Sequence, residues 1–281
     1  MTRRFRRVLA GATGMTYALM LLGVYTAAYG AGLTCGANWP FCDGAVYGLF
    51  PATFQSFVEW FHRLFAMITG FVLLGTAGLA WRSGADRRVR WAITAAVALL
   101  PFQIGLGAVT VTVGGLIPWG YSPVVQAGHF VVALSILTLL TYAAVRALPA
   151  PQTPMVRRGT VAAAFLVIAG YLFSYGGPFT YGAWTQTTYY ALTLALFGVL
   201  VATAAWARAG RLPAGVTPLA AAGAALTGVL ALLGRRLTGS VPPAVGDAVT
   251  LVVFLLALAA VWLAYRENRP GGVAPTPGDS D

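Results

Sequence analysis

Long apolar runs, separated by short stretches of Arg, Gly and Pro, set the pattern of this chain. They lie near residues 8–30, 57–81, 91–113, 124–146, 159–176, 184–207, 215–234 and 246–265. A helix needs roughly 20 apolar residues to cross the hydrocarbon core of a bilayer. Inside lipid the backbone must satisfy its own hydrogen bonds, which leaves helices or a closed barrel. The runs do not alternate strictly between apolar and polar positions, and this argues against a barrel. The pattern therefore predicts an all-α integral membrane protein of about eight transmembrane helices. The fifth run is the shortest and is rich in Gly.

Composition agrees: 58% of the 281 residues are hydrophobic and 9% are charged, far from the balance of a soluble domain. The net charge of +11 raises the question of nucleic acid, and the positions of the charges answer it. There is no Lys, so all 18 basic residues are Arg. Arg3, Arg4, Arg6 and Arg7 precede the first run; Arg82, Arg87, Arg88 and Arg90 follow the second. Arg146, Arg157 and Arg158 follow the fourth, Arg208 and Arg211 the sixth, and Arg266 and Arg269 the last. In an eight-span topology all of these fall on one side. The other side keeps Arg63, Arg235 and Arg236. This is the positive-inside pattern and predicts cytoplasmic termini, with a lipid bilayer rather than nucleic acid as the partner. The first run begins like a secretory signal, but it exceeds a signal's apolar region and more spans follow, so it is expected to stay as a helix.

The Pro-rich segment "LPAPQTPM" divides the spans into two sets of four. The expected division is an N-terminal four-helix bundle at 1–147, a linker at 148–158, a C-terminal four-helix bundle at 159–267 and a disordered tail at 268–281. The halves look like a parallel repeat. "YTAAYGAG" ends the first span and "YLFSYGGP" the fifth; "AGHFVVALSIL" opens the fourth and "VGDAVTLVVFL" the eighth. On that register His62 falls near Thr187 and His129 opposite Asp247. Both histidines of the chain are in the first half.

The stretch "FVEWFHRLFAMITGF" places Glu59, His62 and Arg63 at the outer end of the second span. Glu59 and His62, three residues apart, sit about 60° from each other around a helix axis, on one face. Ionisable groups at bilayer depth normally face the protein interior and a partner; near a span end they also serve as interfacial anchors. His129 stands one turn into the fourth span, at the same outer end. Two imidazoles facing each other across a bundle suit the axial positions of a haem iron, and Gly128 beside one of them permits close approach of a porphyrin. Zinc wants three or four protein ligands, and the reachable set is His62, His129 and Glu59. A di-iron carboxylate site needs more acids than the chain owns. Haem is the better reading. Cys35 and Cys42, in the outer loop "GLTCGANWPFCDG", face an oxidising compartment, where a disulfide is the default and a redox-active pair the alternative.

Three segments together resemble the haem A synthase family, membrane enzymes that oxidise haem O to haem A for terminal oxidases. They are "YGAGLTCGANWPFCDG", "EWFHRLFA", and the stretch from "QIGLGAVTV" to "GHF". The resemblance covers roughly residues 20–147 well and the second half mostly by hydropathy. It implies that Glu59 is the carboxylate near the reacting haem methyl and that His62 and His129 are the axial pair of the substrate haem. It implies a disulfide for Cys35 and Cys42 and leaves Arg63 a haem propionate or Glu59 as partner. The implied activity is oxidation of a haem O ring methyl to a formyl group, with haem O synthase, an electron donor and a terminal oxidase as partners. The sequence departs from the family in one respect: members usually carry a second histidine pair holding haem b, and this C-terminal half has no His. Two other functions fit the same ligands: a bis-His haem b cytochrome, and a haem carrier or oxidase assembly factor without turnover.

Overall fold

The computed structural model describes residues 1–42, 45–46, 50–114, 122–148, 153–180, 182–210, 215–234 and 242–266. Helix α1 spans Arg3–Ala28, α2 Phe54–Arg82, α3 Arg87–Ala98, α4 Leu100–Gly114 and α5 Pro123–Ala147. Then follow α6 Thr153–Leu172, α7 Ala183–Ala209, α8 Val216–Leu233 and α9 Pro243–Arg266. A two-residue ladder, β1 Ala45–Val46 against β2 Phe50–Pro51, closes the loop before α2. Eight helical stretches are long and apolar enough to cross a membrane, and the chain is a multi-pass membrane protein.

Two of the expected boundaries move. The third span, read as one run at 91–113, is broken into α3 and α4 at Leu99. Pro101 has no N–H to return to the preceding turn and its ring crowds that turn, so the helix cannot continue straight through it. Helix α6 begins at Thr153, inside the segment read as a linker at 148–158. Pro154 does not oppose this, because the first turn of a helix has no internal partner for its N–H groups. The tail at 268–281, together with Arg211, Arg235, Arg236 and Arg269, lies outside the described residues.

Helices α1, α2, α3 and α5 pack in a ring: α1 on α2, α2 on α3, α3 on α5 and α5 on α1, with α4 continuing α3 beside α5. Helices α6, α7, α8 and α9 close a second ring in the same manner. The two join where α7 packs on α1 and α5. One apolar core, from Met20 and Val24 through Phe130 and Leu134 to Tyr190, Leu194 and Phe197, runs across this junction. A second core, from Leu9 through Leu73 and Ile93 to Leu140, fills the Arg-rich half of the first ring.

Facing outward, Phe71, Ile104 and Phe165 are 66%, 71% and 75% exposed, as expected where lipid is the solvent. Inside, hydroxyls are absorbed by the helices that carry them. Thr16, Thr26, Thr69, Thr76 and Thr227 each donate to a backbone carbonyl one turn earlier. Tyr17 Oη donates to Ala191 O at 2.7 Å and ties α1 to α7. Tyr190, fully buried, donates to Ala231 O at 2.7 Å and ties α7 to α8. Replacing Tyr190 with Phe strands that carbonyl in an apolar core. It should lower stability by about 1 kcal/mol, seen as a lower thermal midpoint in detergent; an unchanged midpoint would contradict this role.

Candidate functional site at the outer end of the first ring

The site is set by how α1 ends and α2 begins. At the end of α1 the Gly30 N–H donates to Ala27 O and the Ala31 N–H to Thr26 O. Gly30 has φ +72°, the left-handed conformation that this helix stop requires and that a side chain disfavours. The chain thereby turns sharply into residues 31–42 and lays them over the start of α2. Thr53 caps α2, its hydroxyl accepting from the Ser56 N–H at 3.2 Å. That fixed start gives Glu59, His62 and Arg63 their register.

Glu59 is 2% exposed and fully engaged. Its Oε1 pairs with Arg63 one turn on. Its Oε2 accepts from the Thr34 hydroxyl at 3.0 Å and from the Cys35 N–H at 2.8 Å. The Arg63 guanidinium also donates to Gly36 O at 2.8 Å. Of the two partners left to Arg63 by the sequence, the structure supplies Glu59. Cys35 and Cys42 form a disulfide whose sulfurs lie 3.4 and 3.6 Å from the Ser56 carbonyl, beneath Trp60. The indole N–H of Trp60 donates to Pro40 O at 2.9 Å. The loop, its disulfide and the carboxylate thus form one unit.

The histidines stand apart from this unit. Helices α2 and α5, which carry them, occupy opposite corners of the ring, each packing on α1 and α3. His62 and His129 lie about 12 and 9 Å along their helices from the outer ends, so their depths are similar. Each ring is seated against a glycine of a neighbouring helix. A Cβ on Gly23 of α1 would stand 3.0 Å from His62 Cε1, and one on Gly107 of α4 would stand 3.4 Å from His129 Cε1. The missing Cβ atoms let each imidazole approach the backbone of its neighbouring helix, and a ligand between two such histidines on opposed helices is the arrangement a bundle uses for a haem. Gln103, one turn before Gly107, places its amide nitrogen 3.1 Å from His129 Nε2. Among the described residues no three His, Cys, Asp or Glu side chains gather as a metal-ion ligand set, and Glu59 is spent on its own network.

Sequence reasoning missed Thr34, Gly23, Gly107 and Gln103. The last two lie inside "QIGLGAVTV", where a lone amide four residues from a glycine in an apolar run was a usable signal. Gly23 and Thr34 gave no such signal, since their partners are distant in sequence.

Among the described residues the second ring offers no equivalent pair of histidines. The Thr187 hydroxyl donates to Ala183 O in its own helix, and Asp247 is exposed. Tyr190, Leu194 and Phe197 belong to the core shared with the first ring.

The first ring thus combines a buried carboxylate network beneath a disulfide loop with two glycine-backed histidines on opposed helices of a multi-pass membrane protein. The family model for the cytochrome oxidase assembly proteins known as COX15-CtaA matches residues 6–274, and the chain belongs to that family. It is 31% identical over 134 residues to the heme A synthase of Bacillus licheniformis, a match covering 45% of this chain and 41% of that protein. It is 32% identical over 157 residues to the heme A synthase of Alkalihalophilus pseudofirmus, covering 53% of this chain and 50% of that one. It is also 42% identical over 116 residues to a protoheme IX farnesyltransferase of Halobacterium salinarum, covering 41% of this chain and 25% of that protein. The chain therefore spans about a quarter to a half of the length of these curated relatives.

Replacing Cys35 and Cys42 together with Ser releases a loop of about eight residues and should lower stability by about 2 kcal/mol. Thermal unfolding of the purified protein reads this directly; an unshifted midpoint would show that the loop is held without the disulfide.

Proposed function

We propose that this chain oxidises a ring methyl of haem O toward a formyl group, in the production of haem A for terminal oxidases. The observation that carries the reading is the pair of glycine-backed histidines on opposed helices, with a pinned carboxylate one turn from one of them. Membership in a family of cytochrome oxidase assembly proteins and likeness to two heme A synthases support it. The orientation follows the arginines: both termini cytoplasmic, the site on the outer side.

In this reading His62 and His129 hold the substrate by its iron, which supplies the redox chemistry. Gly23 and Gly107 give the two imidazoles their places. Gln103 holds His129 before the substrate arrives and yields Nε2 to it. Glu59 presents a fixed carboxylate toward the reacting edge and stabilises positive charge that develops there. Thr34, the Cys35 N–H and Arg63 keep that carboxylate in one position, so no reorganisation is needed during reaction. The disulfide loop lids the network. Methyl to formyl is a four-electron oxidation that adds one oxygen atom; molecular oxygen, reduced with electrons from a donor, supplies both the oxidant and the atom, and oxygen and donor come from outside the chain.

We infer one substrate site per chain, because both histidines of the sequence stand in the first ring. The second ring serves as scaffold through α7. The likeness to a protoheme IX farnesyltransferase supports a haem O synthase as the source of substrate and a working partner.

Glu59→Gln keeps an acceptor for Thr34 and Cys35. It should retain bound haem and lower haem A output by at least tenfold; normal output would remove the carboxylate's role. His62→Ala and His129→Ala should each shift the haem absorption spectrum of the purified protein. An unchanged spectrum in both would end the axial assignment.

A further inference from the structure

At the opposite end of the molecule the helices enclose a second polar feature, unrelated to the outer site. Arg88 at the start of α3, Tyr142 and Arg146 near the end of α5, and Arg208 near the end of α7 line a cavity of about 480 Å³. That volume is typical of a small-molecule site. The helices come from both rings, so the cavity sits across their junction, at the Arg-rich membrane edge.

The other arginines of this edge show what an occupied guanidinium looks like here. Arg90 lies over Trp81 at 4.8 Å, Arg157 over Tyr265 at 4.8 Å, and Arg266 over Trp262 at 4.9 Å. Arg157 also donates to Ala264 O at 2.9 Å. The cavity differs. Its one acidic neighbour among the described residues is Asp86, 3.5 Å from Arg146. No acidic group among the described residues pairs with Arg88 or Arg208. Arg146 Nε, like Arg90 Nε, is buried without a hydrogen-bond partner, but Arg146 has no aromatic ring stacked on it among the described residues. Three guanidiniums from three helices thus converge on one space with a single carboxylate to balance them. Orientation by positive charge alone needs arginines on this side of the membrane; it does not need them gathered around a cavity between helices.

We propose that this cavity binds the phosphate of an anionic phospholipid from the leaflet on the Arg-rich side. Guanidinium forks match phosphate oxygens in pairs, and basic pockets between transmembrane helices suit anionic headgroups. The Tyr142 hydroxyl adds a neutral donor. The lipid's chains lie at the depth of the surrounding apolar helices, which a free ion cannot use. Bound there, the headgroup relieves repulsion among the arginines and clamps α7 to α3 and α5, joining the two rings.

The test is native mass spectrometry of the full chain in a mild neutral detergent, titrated with phosphatidylglycerol, phosphatidylcholine or inorganic phosphate. Phosphatidylglycerol should be retained one per chain and should raise the unfolding midpoint; phosphatidylcholine should bind at least tenfold more weakly. Arg88→Gln and Arg208→Gln should each weaken phosphatidylglycerol about tenfold, the magnitude of one charged hydrogen bond. Arg82→Gln, an exposed arginine outside the cavity, should leave it unchanged. Should Arg88→Gln not purify, Arg208→Gln alone carries the test, because that side chain is exposed. Wild-type affinity in the variants, equal binding of the two lipids, or full displacement by millimolar phosphate would overturn the proposal.

Discussion

A carboxylate inside a bilayer protein must be met by the protein itself, because no water is on hand to solvate it. At Glu59 this demand organises the outer end of the molecule. One oxygen takes Arg63, from the next turn of its own helix. The other takes Thr34 and the Cys35 N–H, from a loop that reaches it only because α1 stops at Gly30. The disulfide holds that loop to the start of α2, and Trp60 covers it. Loss of any one part leaves a buried polar group without its partner. The carboxylate and the loop are therefore one structure, and the role proposed for Glu59 depends on a fold element that the cysteines complete.

The two rings share a plan and divide the work. The first keeps small residues where its histidines need room: Gly23 against His62, Gly107 against His129. The second carries no histidine; its α7 gives Tyr190, Leu194 and Phe197 to the core shared by the two rings, and its tyrosine hydroxyls donate to backbone carbonyls of α8. Its contribution comes through α7, which supports α1 and α5, the helices flanking the proposed substrate. The Arg-lined cavity lies at the other end of the same junction.

Much of this was written in the order of residues. Span length fixed the count of helices; the four-residue spacing of Glu59 and Arg63 put that pair together, while His62 stands apart against Gly23. What the sequence could not show depended on contacts between distant segments. Thr34 is an ordinary loop threonine until α2 is laid beneath it. Gly23 is one small residue among many in α1 until His62 packs on it. Arg63 meets Glu59 on its own helix and also Gly36 O in a loop twenty-seven residues away, a contact no local spacing gives. The break at Leu99 could have been read from Pro101, but hydropathy runs straight through it. The cavity between α3, α5 and α7 was hidden for the same reason as Thr34: its arginines, Arg88, Arg146 and Arg208, are far apart in sequence and look, one at a time, like orientation signals.

The central claim is that a single histidine pair in one bundle suffices for oxidation of haem O. The direct test is to co-express the chain with a haem O synthase, purify it, and identify its extracted haem by mass. The account predicts haem A, or the alcohol on the way to it. Haem O or haem b alone, in a protein with an intact bis-histidine spectrum and a supplied electron donor, would contradict it and leave a protein that binds haem without changing it.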